Sequence, residues 1–345
     1  MLTRLSFQPM QKNVSLRHFN TFGLESRAQF FEEVKSIGEL TDIIKNPVWK
    51  EMPKFILGGG SNVLFTQDIN ALVIKMAIKG IELLKEDQDF VWLHVGAGER
   101  WHDFVMYCVE HDYAGVENLS LIPGTIGAAP MQNIGAYGVE IKDVVETVEA
   151  ISVESAEIRT FSKEECLFGY RESIFKHALK GKLIITGVLF RLNKKAVYHV
   201  EYGDIQKTLT EMNVESPSIK AISEAVIRIR ESKLPDPAKI GNAGSFFKNP
   251  EISSEQFDKL KSDFPTVPGY PTIPGFVKVP AGWLIEQAGW KGYRDGEIGV
   301  HARQALVLVN YGGGSGAEIR ALSEKIQKSV KEKFGVSLSA EVNFI

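Results

Sequence analysis

Two glycine-rich segments carry the first chemical signal in this sequence. The apolar stretch Phe55-Ile56-Leu57 runs into Gly58-Gly59-Gly60-Ser61-Asn62. A strand that feeds a glycine turn presents consecutive backbone N–H groups, and such a nest takes an anion with almost no side-chain chemistry. A plain tight turn would use the same residues. The second segment is Leu121-Ile122-Pro123-Gly124-Thr125-Ile126-Gly127-Ala128-Ala129-Pro130-Met131-Gln132-Asn133-Ile134-Gly135-Ala136-Tyr137-Gly138. Clustered glycine marks backbone held close to a ligand or forced to positive φ. Both loops fall before Glu140, and together they suggest a dinucleotide lying across backbone.

Other phosphate, metal and nucleophile signatures are absent. Gly58-x-Gly60 meets Val63, and Gly96-x-Gly98 meets Trp101, where a Rossmann fingerprint needs glycine or alanine. Gly312-Gly313-Gly314-Ser315-Gly316-Ala317 does fit GxGxxA. Only one helix and one terminal strand pattern follow it, however, so it reads as a flexible connector. No P-loop motif occurs. His94, His102, His111 and His301 lack HxxxH or HExxH spacing, and Cys108 and Cys166 form no CxxC pair, so no metal site is expected. Ser245 is no nucleophile elbow, because Ala243 and Phe247 stand where that motif needs glycine.

Three further places mix reactive groups. Gly169-Tyr170-Arg171-Glu172-Ser173 sets an aromatic ring beside an arginine, and reads equally as a helix start with an exposed ion pair. Asn242-Ala243-Gly244-Ser245-Phe246-Phe247-Lys248-Asn249-Pro250 has no amphipathic period. That argues for a loop, with Phe246 or Phe247 as a core anchor. In Ser337-Leu338-Ser339-Ala340-Glu341-Val342-Asn343-Phe344, Glu341 points away from the apolar alternation, as a solvated strand carboxylate also would.

The elements that must position these groups alternate between strand and helix patterns. Strands are expected at 28–34, 55–57, 63–65, 71–74, 90–95, 144–153, 182–192, 305–310 and 337–344. Helices are expected at 36–44, with Ser36 and Glu39 as a capping box, and at 101–111, 218–233, 253–264, 281–289 and 315–334. A proline-bounded change of texture at Leu234-Pro235-Asp236-Pro237 marks a domain boundary. The chain has 345 residues, enough for two or three domains at ~150 residues each. A net charge of −3 gives no electrostatic reason to expect nucleic acid or an anionic membrane. Hydrophobic residues are 44% and charged residues 24%, the ordinary globular range, which excludes disorder, collagen and coiled coil. The N-terminal run carries no long apolar stretch, no apolar run reaches membrane-span length, and two unpatterned thiols fit a reducing compartment. The expected location is the cytoplasm.

Seven segments, taken in order, resemble one family. They are Asn20-Thr21-Phe22-Gly23, Leu57 to Asn62, Ile122 to Ala128, Gln132 to Gly138, Gly169 to Phe175, Gly241 to Pro250 and Ala281-Gly282-Trp283-Leu284-Ile285-Glu286. The set resembles the UDP-N-acetylenolpyruvoylglucosamine reductase family, and the match runs from about residue 17 to the end. The resemblance implies an α+β chain with the FAD-binding fold of vanillyl-alcohol-oxidase (PCMH-like) flavoenzymes. Subdomains 1–75 and 76–230 would hold FAD. A smaller α+β substrate-binding domain, 231–345, would send its C-terminal strand back to the active site.

The implied reaction is reduction of UDP-N-acetylglucosamine enolpyruvate to UDP-N-acetylmuramate, with FAD as cofactor and NADPH as hydride donor. No nucleic acid, membrane or protein partner is implied, and the chain is expected to act as a monomer. Another FAD oxidase of the same fold, or a silent UDP-sugar-binding protein, would share the scaffold. Carried over by resemblance, the cofactor-binding residues are Gly58, Gly59, Gly60, Ser61, Asn62, Pro123, Gly124, Thr125, Ile126, Gly127, Ala128, Gln132, Asn133, Gly135, Ala136 and Tyr137. Ser245 would donate the proton to the α-carbon. Arg171 and Glu341 would stabilise the enolate and orient the carboxylate, with a protonated Glu341 able to donate a hydrogen bond. Tyr202, Lys233 and Asn249 would contact the diphosphate, Tyr202 on the tyrosine-bearing loop of one subtype. Tyr170, Tyr270, Lys291 and Gln304 would line the site.

Overall fold

The computed structural model describes residues 10–345; most of the N-terminal run on which the absence of a leader was inferred lies outside the described residues. The chain divides into two compact units. The first comprises 1–14, 28–59 and 69–232, and the second 15–27, 60–68 and 233–345.

The first unit holds two sheets. In one, Arg27–Val34, Ile69–Met76 and Lys54–Leu57 lie parallel in that order, with Gln11–Ser15 on the outer edge. Ile69–Met76 is central and nearly all apolar, as a strand covered on both faces must be. The connecting helix Ile37–Lys45 is capped by Ser36, whose hydroxyl accepts the Glu39 N–H at 3.1 Å. The expected capping box is shifted by one residue. Glu39 reaches back to the Lys35 N–H at 2.7 Å, past Ser36.

The second sheet is antiparallel, in the order Ile158–Ser162, Val145–Ser152, Leu183–Asn193, Phe90–Gly96, Ile81–Glu86. Helix Trp101–Glu110 packs against it through Trp101, Phe104 and Phe190, with the Trp101 Nε1–H satisfied by the Leu119 carbonyl at 2.9 Å. Both thiols are buried in this unit's core. Burial pushes Cys166 up to about 12 and Cys108 well above its ordinary value. A thiol reagent at pH 8 is therefore expected to find no fast-reacting group in the native protein and two per chain after unfolding. A rapid native reaction would contradict this burial.

The second unit has its own core, built on Phe22, Phe246, Phe247, Leu284, Ile319 and Ile326. Its four-stranded sheet runs Gly241–Asn242, Leu308–Asn310, Ile298–Val300, Arg294–Asp295. Helices Ser254–Asp263, Ala281–Gln287 and Gly316–Phe334 lie where their apolar periods placed them.

Three expectations are corrected here. The strand expected at 305–310 is confined to Leu308–Asn310, because the Val307 N–H turns back to the Gln304 carbonyl at 3.1 Å. The strand expected at 337–344 is confined to Asn343–Phe344, which pairs in parallel with Val63–Leu64. Before that pair, the segment divides its bonds among three partners. The Ser339 carbonyl accepts from Lys248 N–H, Glu341 N–H donates to Phe246, and Asn343 N–H donates to Asn62. Finally, the 312–316 glycine run is an ordered turn and not a flexible connector. Asn310 Oδ1 accepts the N–H groups of Gly312 and Gly314, Ser315 and Glu318 form a capping box, and a Cβ at Gly316 would stand 1.9 Å from the Phe65 carbonyl. Among the described residues, no helix is long and apolar enough to cross a membrane, and no group of three His, Cys, Asp or Glu side chains is placed to hold a metal ion.

Candidate active site

In the first unit the two glycine loops meet backbone to backbone. A Cβ built on Gly59 would lie 2.8 Å from Gly124 Cα, one on Gly58 2.8 Å from Thr125 Oγ1, and one on Gly127 2.7 Å from the Ala97 Cβ. These glycines are present because any side chain would fill the space. Thr125 Oγ1 is buried at this junction with no partner. An orphaned hydroxyl in a backbone-lined cradle is what a bound polar group would satisfy. The N–H groups of Ile126, Gly127 and Ala128 already serve the carbonyls of Glu99, Ala97 and Thr125, so they hold the loop's shape. Pro123 opens the same loop. Lys75, which no motif singles out, donates to the Gly58 carbonyl at 2.6 Å from beneath it, and burial pulls its ammonium below the usual lysine range. The visible signal for Lys75 is a lone charge inside the apolar run Ala71 to Met76.

The next residues of the second loop build the setting of Arg171. Asn133 is buried at φ 43°. Its amide donates to Glu140 Oε2 and to the Gly169 carbonyl, and its oxygen accepts the Lys142 N–H. Gly135 and Ala136 form a short strand, and the Gly135 carbonyl accepts from Arg171 Nη2 at 2.9 Å. Gln132 ends the preceding 3-10 turn. Arg171 sits at φ 57°, a conformation that costs a non-glycine residue about 1 kcal/mol. The turn is held by reciprocal Gly169–Glu172 backbone bonds, by Ser173 Oγ on the Met131 carbonyl and by Lys176 Nζ on the Arg171 carbonyl. Glu172 pairs with His177, and the Tyr170 ring lies within 5.8 Å of the Arg171 guanidinium.

Tyr137 and Tyr202 interlock through glycines. A Cβ on Gly138 would lie 3.5 Å from the Tyr202 Cβ, and one on Gly203 would lie 3.6 Å from the Tyr137 ring. Buried Asn118 ties this pair down by donating to the Tyr137 and His199 carbonyls. Tyr202 itself is 60% exposed. A cavity of about 360 Å³ lies nearby, beside Gly138, Val197 and His199. Its walls carry Glu117 and Asp143, carboxylates unsuited to a phosphate.

His102 lies on the same unit, where the Leu121 N–H donates to its Nδ1. Burial first, then the charges of Arg100 and Arg230, hold its pKa below 6.5, against an opposing pull from Asp103. The folded ring therefore resists a proton that the unfolded chain accepts. Stability contributed above about pH 6.5 is lost as pH falls toward the lowered folded value. His102→Gln is expected to flatten the fall in melting temperature between pH 7 and pH 5, and an unchanged slope would contradict this.

In the second unit, Gly60 (φ 64°) closes on residue 19, and a Cβ there would stand 1.9 Å from the Phe19 carbonyl. Ser61 and Asn62 follow, and Asn62 Nδ2 donates to the Glu341 carbonyl at 3.3 Å. Ser245 is exposed between two anchors. Asn242 accepts the Gly244 N–H at 2.9 Å on one side, while Phe246 and Phe247 are fully buried on the other. Phe246 N–H donates to the Leu306 carbonyl, and its own carbonyl accepts the Glu341 N–H at 2.8 Å. The backbone thus brings Ser245 and Glu341 onto adjacent segments of one unit, while Arg171 belongs to the other. Asn249 Oδ1 accepts the Ala281 N–H and so caps a helix. Lys291 pairs with Glu286 at 2.9 Å, Gln304 Oε1 accepts the Leu306 N–H, and Tyr270 lies exposed on a two-residue strand. Lys233 ends the helix Ile219–Lys233.

Comparison with known proteins gives this geometry a family. Residues 28–162 match the FAD binding domain model, and residues 236–345 match the C-terminal domain model of UDP-N-acetylenolpyruvoylglucosamine reductase. The chain is 52% identical over 336 residues to the UDP-N-acetylenolpyruvoylglucosamine reductase of Amoebophilus asiaticus, covering 97% of this chain and 99% of that one. It is also 52% identical over 337 residues to the enzyme of that name from Flavobacterium johnsoniae, with the same coverage. The crystal structure of UDP-N-acetylenolpyruvylglucosamine reductase from Thermus caldophilus superposes with a TM-score of 0.67 at 24% identity, over 97% of this chain and 99% of that chain, a likeness of fold. With glycine cradle, cofactor-domain match and near full-length identity in agreement, the chain belongs to the UDP-N-acetylenolpyruvoylglucosamine reductase family.

Proposed function

We infer that the protein is an FAD-dependent oxidoreductase that reduces the enolpyruvyl ether of UDP-N-acetylglucosamine to the lactyl ether, giving UDP-N-acetylmuramate for peptidoglycan synthesis. The observation that carries this reading is the match to relatives of that name over 97% of this chain and 99% of theirs, which leaves neither the cofactor half nor the substrate half missing.

The cradle of Gly58, Gly59, Gly124 and Thr125 fits a dinucleotide, and these residues would hold FAD. When bound, FAD supplies to the substrate β-carbon the hydride that NADPH provides. The rest of the work belongs to the chain. Hydride addition leaves negative charge on the enolpyruvyl α-carbon and carboxylate, and a fixed cation lowers the energy of that charge. Arg171, held at a left-handed turn and tied to Gly135, is that cation. Ser245 gives its proton to the α-carbon. A hydroxyl is a weak acid and needs an assisting network, and Glu341, whose N–H donates to the Phe246 carbonyl on the neighbouring segment, stabilises the enolate with Arg171 and orients the carboxylate. Lys233, Tyr202 and Asn249 hold the diphosphate, Asn249 through the amide end that its helix cap leaves. Tyr170, Tyr270, Lys291 and Gln304 make the remaining substrate contacts, and the Tyr202 loop supports membership of the tyrosine-loop subtype.

We assign 1–75 and 76–230 as the two cofactor subdomains, with 231–345 as the substrate domain. The enzyme works as a monomer in the cytoplasm, without nucleic acid or membrane. The test is product analysis. With NADPH in D₂O, mass spectrometry should show UDP-N-acetylmuramate carrying a solvent deuteron at the α-carbon, together with label at the β-carbon to the extent that the transferred hydrogen exchanges with solvent between the two half-reactions. NADPH oxidation coupled to hydrogen peroxide, with substrate unchanged, would favour an oxidase.

A further inference from the structure

Arg230 is a half-buried cation, its Nε shut off from solvent, that the proposed chemistry has not used. It lies on helix Ile219–Lys233, which packs Ile222, Val226 and Ile229 against Ile205 and Leu209. Its guanidinium hydrogen-bonds the Tyr137 side chain, and its Nε is buried with no partner. The groups acting on it are the Tyr137 phenol and a second guanidinium, Arg171. Desolvation holds its pKa below the usual arginine range. Among the described residues no carboxylate pairs with it, and its helix neighbours three and four positions away carry none. His102, also within its field, has its pKa lowered, chiefly by burial. A guanidinium partly withdrawn from water without a counter-ion is costly unless an anion arrives to pair with it.

The place where that anion would sit is marked by the segment Gly135 to Tyr137. Arg171 donates to its first carbonyl and Arg230 hydrogen-bonds its last side chain. Two cations thus grip one three-residue strip that the family resemblance places among the cofactor-binding residues. We propose that Arg230 is a specificity-determining residue that, with Arg171, binds the carboxylate of the enolpyruvyl group. This rests on the reductase reading. A planar, two-pronged donor suits a planar carboxylate, whose charge grows when the enolate forms.

The test uses the holoenzyme without reductant. Calorimetric titration compares UDP-N-acetylglucosamine enolpyruvate, UDP-N-acetylglucosamine, which lacks the carboxylate, and NADP⁺. If wild type fails to bind the enolpyruvate, the reductase reading fails. If wild type binds, Arg230→Met is expected to weaken the enolpyruvate by about thirtyfold or more while leaving UDP-N-acetylglucosamine unchanged. Equal weakening of both sugars, weakening of NADP⁺ alone (a phosphate site), or no weakening overturns the proposal. Tyr137→Phe separates direct from indirect action. If it reproduces the whole selective loss, Arg230 acts only through Tyr137 and the proposal is overturned. Should Arg230→Met not yield flavoprotein, Arg230→Lys keeps the charge and removes the fork. A smaller, still carboxylate-selective loss is then expected, and unchanged enolpyruvate affinity overturns the proposal.

Discussion

Ser245→Ala is expected to lower kcat by about 10²–10⁴-fold, the usual worth of a positioned general acid, with the rate at which NADPH bleaches the flavin unchanged. The substitution removes one exposed hydroxyl and little else. The loop is fixed by the Asn242–Gly244 bond, by the buried rings of Phe246 and Phe247, and by the backbone bonds from Phe246 to Leu306 and Glu341. None of these uses the Ser245 side chain. A fall confined to the substrate half-reaction, with KM little altered, is the mark of an interaction made only in the transition state. If flavin reduction falls in parallel, Ser245 acts on the shape of the site and not as its acid.

Gly59→Ala is expected to weaken FAD binding by about 5- to 150-fold, since forcing a methyl into a packed contact costs about 1–3 kcal/mol. The new Cβ would stand 2.8 Å from Gly124 Cα, and backbone cannot move aside as a flexible side chain does. Separating the two loops also displaces Thr125, whose hydroxyl has no other partner. Titration of apoprotein with FAD, followed by flavin fluorescence, reads the effect. Gly38→Ala is the control, because a Cβ there meets only Ser36 Oγ at 3.8 Å and alanine favours the helix. Equal affinity in Gly59→Ala and Gly38→Ala would show that the loops do not form the cradle.

The glycines were legible because backbone packed on backbone admits no other residue, and the sequence shows the lack of side chains directly. The apolar periods of Trp101–Glu110 and Gly316–Phe334 were legible for the same kind of reason, since each has one face to bury. Ile81–Glu86 was not, because an exposed edge strand has no face to bury and shows no alternation. The terminal segment misled the strand expectation for a different reason. Its alternation is genuine, but its hydrogen bonds go in turn to Lys248, Phe246 and Asn62, so no continuous ladder forms. At the site, Gly169 to Ser173 could have been a helix start, and nothing local announces that Arg171 turns left-handed to reach Gly135. Lys75 and Arg230 act through tertiary neighbours far away in sequence, Gly58 and Tyr137, so no motif could contain them. The roles of Ser245 and Glu341 came from family resemblance. The fold adds that Glu341 N–H donates to the residue after Ser245.

The central claim is that electrons pass from NADPH through the bound flavin to an enolpyruvyl ether. Anaerobic stopped-flow tests it most directly. The flavin absorbance near 450 nm is bleached with one equivalent of NADPH, and the reduced protein is then mixed with UDP-N-acetylglucosamine enolpyruvate. Fast return of the oxidised spectrum with the enolpyruvate, and none with UDP-N-acetylglucosamine, is the predicted result. Bleached flavin that only O₂ restores, whatever sugar is added, would contradict it.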